Sequence, residues 1–141
     1  MVQLLHRVRV FLFEMRVMQP RYLLLRPDQG LEGCWGPIHG SIGFDEKLEM
    51  AIRREVSSDT GLPPELDLID LGMPARWELG DECVIEWVFG ARTRRADDDL
   101  VLDERWAEFR WADFALAYPT LELDHDRAAI LRLHTMLTSA A

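Results

Sequence analysis

Cysteine is scarce in this chain, and that scarcity removes whole classes of function. Only Cys34 and Cys83 occur among the 141 residues, in no CxxC pair and no Cys/His cluster of zinc spacing. A disulfide framework and a structural zinc site are therefore excluded. Both are expected to be free packing thiols in a reducing cytoplasm, with nothing nearby in sequence to mark either as a nucleophile. Basic residues are also in short supply: 16 Lys and Arg face 25 Asp and Glu, a net charge of −9. That balance works against binding polyanionic DNA or RNA, whereas a small phosphorylated ligand is allowed, because a bound divalent cation reverses the local field. Long apolar runs are missing; the N-terminal stretch is broken by His6, Arg7, Arg9, Glu14 and Arg16. Neither export nor membrane insertion is expected. Internal repeats, low-complexity tracts and linkers are missing too, and 48% hydrophobic residues suit a single domain, 1–141, around one core.

What is present reads as mixed α/β. The β-rich run Arg7–Phe13 and the apolar run Arg21–Arg26, separated at Pro20, predict neighbouring strands. Turn formers Pro27-Asp28-Gln29-Gly30, Gly33 and Gly36-Pro37 predict a loop. Leu48, Ile52 and Val56 recur every four residues, which predicts a helix over about 46–60, with Asp45 as N-cap and Gly61 as C-terminal stop. Pro63-Pro64 prevents its continuation. Strands are expected at Leu66–Leu71, Cys83–Ala91 and Phe109–Trp111, with a turn at Gly80-Asp81 and a solvated acidic loop at Asp97-Asp98-Asp99. A closing helix is expected over 125–137, with Asp124 as cap and Ala128, Ala129, Leu131, Leu133, Met136 and Leu137 as its apolar positions. Such an order suits a mixed sheet covered by helices.

Residues 40–62, GSIGFDEKLEMAIRREVSSDTGL, carry the chemistry. Gly40 is followed after five residues by Glu46, after seven more by Arg54-Glu55-Val56, then by Asp59 and Gly61-Leu62. On a helix Glu55 and Asp59, four apart, project from one side, away from the apolar stripe. Clustered carboxylates are what hard divalent cations prefer, and phosphoanhydride hydrolysis needs such cations, an activated water and a stabilised leaving group. The spacing resembles the Nudix box, G-x5-E-x7-R-E-U-x-E-E-x-G-U, of the Nudix hydrolases. That resemblance implies an α-β-α sandwich with a mixed sheet over nearly the whole chain. It also implies Mg2+ (or Mn2+) as cofactor and a nucleoside polyphosphate or other nucleoside-diphosphate-linked substrate. A homodimer is implied as well, since many relatives form one.

Carried over position by position, the resemblance makes Glu55 and Asp59 metal ligands. Arg54 would hold a box carboxylate in place, Gly40 would supply the tight turn, and Glu46 would fix the loop to the helix. Three departures stand out. Ser58 occupies a ligand position where the family has Glu, which removes a full negative charge. Asp45 replaces a common Gly, and Ile38-His39-Gly40 replaces Pro-Gly-Gly. Trp35-Gly36-Pro37-Ile38-His39-Gly40-Ser41-Ile42 still looks like the entry of the dATP and dihydroneopterin triphosphate pyrophosphohydrolase branch. Within that entry Trp35 is a candidate for stacking on a base, and His39 for touching phosphate.

Downstream, Glu104-Arg105-Trp106-Ala107-Glu108-Phe109-Arg110-Trp111 resembles that branch's E-H-x-x-Y-R-W segment without its His. Glu104 and Glu108 are both candidates for the catalytic base, and Glu104, which precedes the aromatic strand, is also a candidate metal ligand. Two functions compete. One is a metal-dependent hydrolase of phosphoanhydrides; the other is a catalytically impaired domain that binds a nucleotide-like ligand or protein partner without hydrolysis.

Overall fold

The computed structural model describes residues 3–27, 34–94 and 100–139. Its elements are β1 (Gln3–Arg16), β2 (Gln19–Pro27), β3 (Ile38–Ser41), α1 (Leu48–Thr60), β4 (Leu66–Asp70), β5 (Ala75–Leu79), β6 (Glu82–Thr93), β7 (Trp106–Ala112), α2 (Phe114–Thr120) and α3 (Asp124–Thr138). The triple acidic loop and most of the turn-rich stretch expected after Pro27 lie outside the described residues.

Alternation along β1 decides the layering, because successive side chains of a strand point to opposite faces. Val8, Val10 and Leu12 join one buried cluster with Ala51, Ile52 and Val56 of α1. Phe11 and Phe13 join the other, with Ala117 of α2 and Ala129, Ile130 and Leu133 of α3. A mixed sheet thus lies between α1 on one face and α2 with α3 on the other, the α/β sandwich the sequence pattern implied. The sheet runs β4-β6-β1-β2-β7, with β3 on β1 and β5 on β6. β1 and β6 pair in parallel from Gln3↔Glu82 to Phe13↔Arg92, while the other strand pairs are antiparallel. The second edge of β1 is shared: β3 takes Arg7–Val10 and β2 takes Phe13–Arg16. That division lets the chain depart at β3 into the loop before α1.

Several expectations need correction. Asp45 does not cap α1; it sits in a turn at φ 60, and Lys47 is the cap residue. The chain turns first because Glu46 accepts from Gly43 N–H at 2.8 Å, which postpones the helix. Gly61 does end it, at φ 76, where a side chain would be strained. β3, β5 and α2 have no counterpart among the expected elements, although Asp113 caps α2 by accepting from Leu116 N–H at 3.0 Å. In α3 the buried face is Asp126, Ala129, Ile130 and Leu133, whereas Leu131 and Met136 are exposed. Leu133 is drawn in by Gly90 of β6, which has no side chain to keep it out.

Candidate active site

The box side chains gather where α1 meets β3. Glu55 and Asp59 are both buried, at 8% and 2% exposure, although both are acids. Buried carboxylates need cations, and two guanidiniums supply them. Arg54 spans the loop: its Nε donates to Glu46 at 2.7 Å, its Nη1 to Glu55 Oε1 at 2.9 Å, and its Nη2 to the Ser41 carbonyl at 2.9 Å. Held by Arg54 and by Gly43 N–H, the Glu46 carboxyl is pulled down to about 2. Gly40 faces Glu55 so closely that a Cβ there would lie 2.2 Å from Oε1. The glycine is required by this approach.

Arg105 is the second cation. One of its nitrogens, Nη2, donates to Asp59 Oδ2 at 2.5 Å, to the His39 carbonyl at 2.6 Å and to Glu55 Oε2 at 3.2 Å. Burial pushes the Asp59 carboxyl up while Arg105 opposes the shift. Two carboxylate oxygens and a backbone carbonyl about one point are the donor chemistry of a hard divalent cation. The oxygens fit such an ion with Arg105 withdrawn. Among the described residues, no three His, Cys, Asp or Glu side chains converge as a metal-ligand group. Ser58, at the position where the family has a Glu ligand, is exposed.

The other sequence candidates fall in different places. Glu104 is exposed on the turn leading into β7, next to Arg105. Glu108 pairs with Arg26 across β2 and β7. It lies on the face of β7 opposite Phe109 and Trp111, which pack on the cluster beneath α1. His39 pairs with Arg9 on β1, so both share a face. Its Nδ1 accepts from Arg7 at 3.2 Å and its ring meets Trp106 edge-on at 5.4 Å. Trp35 is half-buried under the Arg110 guanidinium, 4.8 Å from its ring centre.

His39 also lines a cleft of about 660 Å³ on the α3 side of β1. Arg7, Arg9 and Glu86 form part of its wall, with Trp77 and, from α3, His125 and Asp126. Arg9 makes a two-pronged bond to Asp126, at 2.5 and 2.6 Å, and lies 3.9 Å from Glu86. Burial pushes Glu86 up, against the pull of Arg9 and Arg7. His125 Nε2 is buried there without a hydrogen-bond partner among the described residues. A neighbouring cleft of about 420 Å³ shares Arg9, His39 and Leu123 and adds Trp35. Sequence reading missed Arg7, Arg9, Glu86, Asp126 and Arg105. The alternation of Arg7-Val8-Arg9-Val10 held a signal for the first two, since it places both arginines on one face.

No family model matches the sequence, and no curated protein matches it. Solved structures do. A Listeria monocytogenes protein assigned as a NUDIX hydrolase superposes with TM-score 0.81 at 18% identity, covering 95% of this chain and 94% of that one. A C. elegans Ap4A hydrolase gives 0.74 at 15% identity over 96% and 98%. The E. coli dihydroneopterin triphosphate pyrophosphohydrolase gives 0.76 at 18% over 93% and 95%. Matched over nearly its whole length at such low identity, this chain has the Nudix fold.

Proposed function

We propose that the protein hydrolyses a phosphoanhydride bond in a small phosphorylated substrate, a nucleoside polyphosphate or other nucleoside-diphosphate-linked molecule. The observation that carries this reading is the buried pair Glu55 and Asp59, converging with the His39 carbonyl on one point; His39 also lines a cleft with Arg7 and Arg9. Glu55 and Asp59 would hold magnesium or manganese, and an ion there would neutralise the crowded phosphate oxygens. Arg54 fixes the Glu55 carboxylate through Oε1 and leaves Oε2 directed at the shared point. Arg7 and Arg9 line the cleft that would take the anionic part of the substrate. We assign the base that takes the proton of the attacking water to Glu104, because Glu108 is engaged by Arg26 on the other face of β7.

A second reading is that the domain binds such a ligand without turning it over. It is favoured by Ser58, which offers no charge, and by Arg105, which already satisfies both buried acids. Release of phosphate or pyrophosphate from nucleoside triphosphates, dinucleoside polyphosphates and nucleotide sugars, with Mg2+ and then Mn2+, separates the two. Turnover that falls by about 100-fold or more in Glu55→Gln supports hydrolysis. Equal rates for the variant and the wild type across the panel sink it in favour of binding.

A further inference from the structure

We infer that Arg105 is a tethered cation holding the divalent-metal position of this site, so that a metal ion and the Arg105 guanidinium exclude one another. The inference rests on the metal-site part of the reading above, and not on hydrolysis. A single nitrogen, Nη2, lies within 3.2 Å of three oxygens, the shape of a cation site rather than of a lone ion pair. A divalent ion bound to Glu55 Oε2 and Asp59 Oδ2 would take the space this nitrogen occupies.

Charge points the same way. Three carboxylates (Glu46, Glu55 and Asp59) against two guanidiniums (Arg54 and Arg105) leave one negative charge. Withdrawing Arg105 leaves two, which a divalent ion cancels. With Ser58 supplying no third buried acid, the carboxylates bonded to these two arginines carry one residual negative charge without any metal, and Asp103 adds its own field at Asp59. Both acids are buried, so an empty position would be costly, and Arg105 removes that cost in the metal-free protein.

The arginine is also built to leave. The segment that leads to it is anchored, because Val101 N–H donates to the Thr60 carbonyl at 3.0 Å and Asp103 N–H to the Asp59 carbonyl at 3.1 Å. Its side chain is 38% exposed and rests on the Trp106 ring at 4.7 Å. Rotation about its own side-chain bonds would carry the guanidinium outward with no movement of α1 or β7. Once outside, its planar donor fork suits a phosphate. A polyphosphate would therefore draw Arg105 off while its counter-cation enters.

The test is Mn2+ affinity, read from the free-ion EPR signal, in the wild type, Arg105→Gln and Arg105→Gln with Asp59→Asn. Arg105→Gln is expected to bind Mn2+ at least tenfold more tightly than the wild type, and the added Asp59→Asn to abolish the gain. Equal affinities in wild type and Arg105→Gln overturn the inference, as does no binding by a folded Arg105→Gln. A second measurement avoids any folding defect. In the wild type, the Arg105 Nε–H NMR resonance should shift and exchange faster with water as Mg2+ saturates; an unchanged resonance at saturation overturns the exchange. Competition without turnover would leave this inference standing and remove hydrolysis, whereas turnover without competition would do the reverse.

Discussion

His39 shows how position alone sets the behaviour of one side chain. Burial, then the charges of Arg9, Arg105 and Arg7, hold its imidazole down at about 3, against about 6.5 in an unfolded chain. Arg7 can only donate, so Nδ1 is the acceptor and the ring is neutral at physiological pH. Below about 6.5 the unfolded chain takes up a proton that the native ring refuses. The stabilisation is thus complete above that value and declines as pH falls towards about 3. Urea melts from neutral pH to about pH 4 should show a larger loss for the wild type than for His39→Gln. Parallel losses would mean that the native His39 ring takes up its proton over the same range as the unfolded chain.

At the level of elements, α1 and α3 each bring one side chain into close contact with a strand glycine. α1 is seated by Glu55 under Gly40, and α3 by Leu133 over Gly90, where an added Cβ would lie 2.7 Å from Leu133 Cδ1. Neither residue at the Gly90 contact belongs to the site, so Gly90→Ala isolates helix seating. It is expected to cost about 1–3 kcal/mol through overpacking. A lowered denaturation midpoint with an unchanged denaturant slope would report this, and an unaltered midpoint would show that α3 shifts freely on the sheet.

Across the whole molecule, the bond between Arg9 of β1 and Asp126 of α3 joins residues 117 positions apart. It ties the parallel centre of the sheet to the closing helix, and both residues line the cleft shared with His39. Their side chains are 13% and 1% exposed, so neither falls back on water when the other is lost. Asp126→Ala should cost about 3–5 kcal/mol, the usual consequence of stranding a buried charge. Thermal melts would measure the loss. A wild-type melting temperature would mean that Glu86, 3.9 Å from Arg9, is sufficient on its own.

The box and its helix were legible because their signals are local: fixed spacing, a stripe every four residues, and a glycine stop at Gly61. The resemblance then supplied the sandwich, and solved structures match it. α2 was missed even though Asp113 gives a local cap signal. On the buried face of α3, Ala129 and Leu133 were legible, but Asp126 and Ile130 were not, because the partners that meet this face, Arg9 among them, are distant in sequence. Nor could the sequence reveal that Glu55 and Asp59 share one arginine from 50 and 46 residues away. Sequence alone determined which carboxylates stand together on α1, since a helix fixes the relation of positions four apart. Only the tertiary structure decided what faces them, because the 100–105 segment is brought to the end of α1 by backbone hydrogen bonds that no side-chain pattern encodes.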